Sequence, residues 1–134
     1  MVTKRAAAKP KTTKTVAVIG ASSNRAKYGN KALRAFRHAG YQVVPIARRA
    51  GTIEGERAYA SVLDYQGEID EATIYLPPEL GVTVLKDLAK KGIRAVWLNP
   101  GADAPEVERA ARALGLEPIV ACSIRGIGES PGDY

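Results

Sequence analysis

The sequence predicts an α/β fold with a parallel sheet and helices on both faces. Three observations carry this. Five short runs rich in apolar and β-branched residues recur from Thr15 onward. Their near-continuous apolar character fits strands covered on both faces. Helical patterns lie between them, and such strand–helix alternation implies parallel pairing.

The strands are predicted at residues 15–20 (TVAVIG), 41–47 (YQVVPIA), 72–76 (ATIYL), 94–99 (RAVWLN) and 117–122 (EPIVAC). The first helical pattern, residues 31–39, places Ala32, Leu33, Ala35, Phe36 and Ala39 on one side and stops at Gly40. Residues 78–91 space Leu80, Val84 and Leu88 four apart and stop at Gly92. Residues 105–114 place Val107, Ala110, Ala111 and Leu114 on one face and stop at Gly115. Asp103 stands two residues before Pro105, within reach of an N-cap role, and Glu106 suits the first turn. The stretch 53–67 is less regular, with a short helical turn expected near 60–64. Right-handed crossovers leave few arrangements, and the expected one is a Rossmann-like three-layer fold with a five-stranded parallel sheet of order 3-2-1-4-5.

Composition narrows the function. The 134 residues suit one domain, and 46% hydrophobic with 25% charged residues is ordinary for a soluble globule. The formal net charge of +6 first suggests an anionic partner. Five basic residues (Lys4, Arg5, Lys9, Lys11, Lys14) and no acidic one fall in residues 1–14, so the body at 15–134 is almost balanced. That tail is expected to be a disordered, solubilising extension, with no specific nucleic acid partner. One cysteine, Cys122, excludes an internal disulfide and a cysteine-based zinc cluster. One histidine, His38, excludes a multi-histidine metal site. No stretch approaches a membrane span and no secretory leader is evident, so no membrane partner and a cytoplasmic location are expected. The oligomeric state is not readable.

Ligands of open parallel sheets bind beyond the carboxyl ends of the strands, where strand order reverses. Four segments fall there. The first runs Gly20, Ala21, Ser22, Ser23, Asn24, then Arg25, Lys27, Tyr28 and Gly29. Gly20 permits close backbone approach, and amides at a helix start favour a phosphate. The pattern is neither the dinucleotide glycine fingerprint nor a Walker A loop. The second is Ala47-Arg48-Arg49, where a dinucleotide fold would place an acid for a free ribose hydroxyl. Two guanidinium groups suit a ribose phosphate instead, which argues for NADP or coenzyme A over NAD. The third, Leu76-Pro77-Pro78, offers a flat apolar surface to an adenine ring, or merely punctuates a helix. The fourth, Leu98-Asn99-Pro100, holds an amide able to orient a ligand.

Taken together, VAVIGASSN with YG at 28–29, the GYQVVP run, the strand ending in YLPP, the WLNPG turn and the final ALGLEPIVAC segment resemble the CoA-binding protein family. These are small relatives of the N-terminal domain of the succinyl-CoA synthetase alpha subunit. The resemblance implies a pocket for coenzyme A or an acyl-CoA. Residues Gly20–Asn24 with Lys27, Tyr28 and Gly29 would cradle the phosphates, and a basic member of Ala47-Arg48-Arg49 would meet the 3′-phosphate. Leu76, Pro77 and Pro78 would contact the adenine, while Leu98, Asn99 and Pro100 would line the site. Two departures stand out. Tyr75-Leu76-Pro77 replaces a common Phe-Arg-Pro, and Asn99-Pro100-Gly101 replaces a common Gln-x-Gly. The synthetase also uses a phosphorylated histidine from a second domain, and His38 matches no such position, so no ligase chemistry is expected. Cys122 is expected either as a small hydrophobe or as a thiol able to exchange with that of CoA. Two other readings remain: an NADP-dependent oxidoreductase, and an interaction module with a vestigial pocket.

Overall fold

The computed structural model describes residues 13–49 and 51–134; the expectation for residues 1–12 of the tail lies outside them. The elements in chain order are β1 (Thr15–Ile19), α1 (Tyr28–His38), β2 (Gln42–Ile46), β3 (Gly51–Ile53), β4 (Glu56–Ala58), a 3-10 turn (Val62–Asp64), β5 (Glu71–Ile74), α2 (Pro78–Lys91), β6 (Ala95–Leu98), α3 (Pro105–Ala113), β7 (Glu117–Val120), α4 (Ser123–Gly126) and a last 3-10 turn (Pro131–Asp133). No helix among the described residues is long and apolar enough to cross a membrane.

The main sheet is five-stranded and wholly parallel, as expected. Alternate residues of each strand feed opposite layers. Ala17, Ile19, Ala72, Ile74, Val96 and Leu98 pack with Leu85 and Leu88 of α2 and Val107 and Ala111 of α3. Val16, Val18 and Val43 pack with Ala32, Leu33, Ala35 and Phe36 of α1 and Ile124 of α4. Phe36 is fully buried, which contributes about 2–3 kcal/mol.

The strand order corrects the expectation. Along the sheet it runs β2-β1-β5-β6-β7, so the third long strand lies beside the first, not outside the second. All four residues of β5 are buried, which an edge position would not provide. Asp70, just before β5, holds Thr15 at both ends of its peptide: Asp70 N–H donates to Thr15 O (2.8 Å) and Thr15 N–H to Asp70 Oδ2 (2.8 Å). The outer edge of β2 is taken instead by Tyr59, through a parallel bridge to Ile46. That segment follows the β3–β4 hairpin, which sequence reading missed. Its two-residue turn is Glu54-Gly55, both with positive φ (51° and 80°), in place of the Asn-Gly or Asp-Gly pair that signals such turns.

Coverage on both faces is complete for β1 and β5 and fails at the far edge. Ala95 and Trp97 of β6 are half-buried, and Ile119 and Val120 of β7 are exposed. The layer above them is only the four-residue α4, too short to cover two strands. Pro118 blunts the exposed edge by lacking an N–H. Lys14, counted with the tail by sequence, belongs to the body: its carbonyl accepts from Gln42 N–H and its ammonium lies 3.9 Å from buried Glu71. Asp103 is not the cap of α3. Ala104 occupies that position, and the Asp103 carboxylate accepts from Gly101 N–H (3.1 Å), closing the preceding turn.

Candidate functional site

Strand order reverses between β1 and β5, and the loops leaving these two strands part around a cleft. Gly20 makes the parting possible. Its φ is +89°, and a Cβ there would stand 2.6 Å from the Tyr75 carbonyl oxygen. Its N–H and that of Ala21 both donate to Ile46 O (3.1 Å each), tying the loop to the end of β2. Gly29, in the first turn of α1, is equally constrained, since a Cβ would meet Gly20 O at 2.3 Å. The two glycines let helix and loop touch backbone to backbone.

The loop between them is self-braced. Asn24 N–H donates to Ser22 Oγ, Ala26 N–H to Asn24 Oδ1 and Lys27 N–H to Asn24 O, each near 3.0 Å. The Ser22 and Asn24 side chains therefore shape the loop rather than offer themselves to a ligand. Asn30, fully buried, fixes it from below by donating from Nδ2 to Ser22 O (2.8 Å) and Glu54 Oε2 (3.1 Å). Glu54 reaches over from the β3–β4 hairpin and also pairs with Arg25 (2.7 Å). The Asn30 hydrogen bond, aided by the Arg25 and Arg34 charges, holds the Glu54 carboxyl below its ordinary range against the opposing effect of desolvation. Arg25, expected to add charge for a phosphate, is thus already engaged. Asn30 and Glu54 went unnoticed in the sequence because they are joined across 24 residues and no local spacing links them.

The cleft encloses about 830 Å³, within the range of small-molecule sites. Of the expected residues, Gly20, Ala21, Ser22, Lys27, Tyr28, Gly29, Ala47, Arg48, Leu76, Pro77 and Pro100 line it. Lys27 and Arg48 are exposed without an acidic partner among the described residues, and the Tyr28 and Gly29 amides, at the start of α1, have no protein acceptor either. Ile46, Ala60, Leu76, Pro77, Leu80 and Val84 supply the apolar part of the lining. Ala60, Leu80 and Val84 escaped sequence reading because helical spacing presents such residues as core.

Six expected residues do not line the cleft. Ser23 and Asn24 face solvent on the outer side of the loop, Arg49 is exposed beyond Arg48, and Pro78 opens α2 as a first-turn proline. Leu98 and Asn99 are buried. Asn99 donates from Nδ2 to Thr73 Oγ1 (2.7 Å) and Ile74 O (3.0 Å), while its Oδ1 accepts from Ser123 N–H (2.8 Å). Its amide is spent on joining β5, β6 and α4, and this corrects its reading as a ligand group.

Tyr75 lines the cleft, but burial pushes its phenol up to about 12, against the effect of hydrogen bonds with Ser123 and Thr73. It stays protonated at neutral pH and makes a poor base. Cys122 is half-buried at the start of α4, packed on the α1-side core and outside the cleft lining. His38 lies at the end of α1 beside Glu129 (3.5 Å) and does not line the cleft. No cluster of side chains suited to a metal ion occurs among the described residues.

Residues 14–125 match the family described as CoA binding domain. The acetate–CoA ligase (ADP-forming) I subunit alpha of Pyrococcus furiosus is 34% identical over 88% of this chain and 29% of its own length. A solved conserved hypothetical protein from the same organism superposes with a TM-score of 0.76 at 30% identity, covering 84% of this chain and 98% of that one. The dinucleotide-forming acetyl-coenzyme A synthetase 1 of Ca. Korarchaeum cryptofilum superposes with a TM-score of 0.71 at 25% identity, over 81% of this chain and 26% of that one. The chain spans between 13% and 29% of the length of these curated ligase relatives.

Proposed function

Since the chain belongs to the CoA binding domain family, we propose that it binds coenzyme A or an acyl-CoA in the cleft between β1 and β5, without chemistry of its own. The observation that carries this is a single lining that combines free amides and two cations with a set of apolar side chains. Unpartnered amides, Lys27 and Arg48 suit an anionic pyrophosphate and a ribose phosphate. The apolar side chains of the lining suit a flat heterocycle. The glycine contact between Gly20 and Gly29 supports the same reading, because it lets the start of α1, with its free amides, pack directly on the loop after β1. No nucleophile with an adjacent base lines the cleft among the described residues, which supports binding over catalysis.

The test is calorimetric titration with coenzyme A, dephospho-CoA, NADP and NAD. Coenzyme A is expected to bind best. Dephospho-CoA should lose on the order of 1.5–3 kcal/mol, the value of a charge-assisted contact to its missing phosphate. Combined replacement Arg48→Ala and Arg49→Ala should erase that difference by weakening coenzyme A alone. Tighter binding of NADP than of coenzyme A would favour the oxidoreductase reading, and equal losses for both CoA ligands would remove the arginines from phosphate recognition.

A further inference from the structure

Adjoining the cleft lies a niche of about 30 Å³. It shares Ile19, Ile46, Ala60 and Val84 with the cleft, and Ser61, Val62, Asp87 and Leu88 complete it. The volume matches one water molecule or one small substituent, and is far too small for a ring. Its polar equipment is unusual for such a place. Asp87, half-buried on α2, is the one acidic side chain bordering either cavity among the described residues. The Ser61 hydroxyl accepts from Leu63 N–H (3.1 Å) and donates weakly to Asp87 Oδ2 (3.4 Å). Asp87 Oδ1 has no partner among the described residues, so the niche presents an acceptor and no spare donor.

From this arrangement we infer that Asp87, steadied by Ser61, is a specificity-determining residue that selects a 6-aminopurine over a 6-oxopurine. The inference rests on the coenzyme A reading, with the base packed on Ile46, Ala60 and Val84, the apolar residues that the cleft shares with the niche. An exocyclic amino group fits the niche in size and donates to the carboxylate. A 6-oxo group would set oxygen against oxygen in an apolar surround, an arrangement that costs affinity twice, by repulsion and by an unmet hydrogen bond. Polar sites built to receive a donor reject analogues that lack it far more strongly than apolar pockets reject a size mismatch.

The experiment titrates the protein with coenzyme A and with its deaminated, hypoxanthine-containing analogue, then repeats both with Asp87→Asn. The wild type should prefer coenzyme A by about 10- to 100-fold, the worth of one hydrogen bond to a charged group. Asp87→Asn brings an amide N–H that suits the oxo group, so the preference should collapse or invert. A merely structural role for Asp87 would weaken both ligands alike, and that result overturns the inference. Equal binding of the two ligands by the wild type also overturns it, whether or not the variant folds, and leaves the coenzyme A reading standing. Failure of the wild type to bind either ligand removes both.

Discussion

Replacing Asn99 with alanine should lower stability by about 3 kcal/mol, the cost of stranding buried polar groups. Three hydrogen bonds leave with the side chain, and the fully buried Ser123 loses the acceptor of its N–H at the start of α4. For a domain of this size the loss should appear as a drop of roughly 10 °C in Tm by scanning calorimetry. Coenzyme A affinity, measured below the new transition, should stay within about twofold, since Asn99 spends its amide within the protein. The opposite pattern, an unmoved Tm with a large loss of affinity, would restore Asn99 to the ligand.

Gly29→Ala is expected to damage binding most. A Cβ at this position would lie 2.3 Å from Gly20 O and 3.3 Å from Ala21 Cα, and neither neighbour is a flexible side chain that can turn aside. Either the start of α1 or the loop must move, at about 2–3 kcal/mol for overpacking. The Tyr28 and Gly29 amides move with it, so coenzyme A affinity should fall at least about tenfold. Gly81→Ala is the matched control. It sits within α2 with only Ile74 Cγ2 nearby, at 3.8 Å. Alanine there should stabilise by about 0.5–1 kcal/mol through helix propensity and leave binding unchanged. Equal behaviour of the two variants would show that the close approach at Gly29 carries no function.

These two residues also mark what a sequence makes visible. Gly29 sits in a recognisable local pattern, a strand end followed by small polar residues and a helix, so its place beside the cleft was legible. So were the helix stops at Gly92 and Gly115, both of which adopt positive φ. Asn99 shows the limit. An asparagine after a strand reads equally as a ligand group or as a clamp, and its partners Thr73 and Ser123 lie 26 and 24 residues away. The strand order was hidden for the same reason. It depends on Asp70 meeting Thr15 across 55 residues and on Tyr59 claiming the edge of β2, neither of which leaves a periodic trace. The pairing of Arg25 with Glu54 likewise removed a cation that the loop alone seemed to offer. The sharpest remaining signal, Arg48 after β2, survives because its place follows from the fold class and not from a particular contact.

The central claim is that coenzyme A occupies the cleft between β1 and β5, and amide chemical shifts of the isotopically labelled protein test it most directly. On addition of coenzyme A, the resonances of Gly20, Ser22, Tyr28, Gly29 and Arg48 should move together and saturably, while those of β7 and α3 stay in place. Shifts confined to β7 and α3, or no shifts at millimolar coenzyme A, would contradict the account.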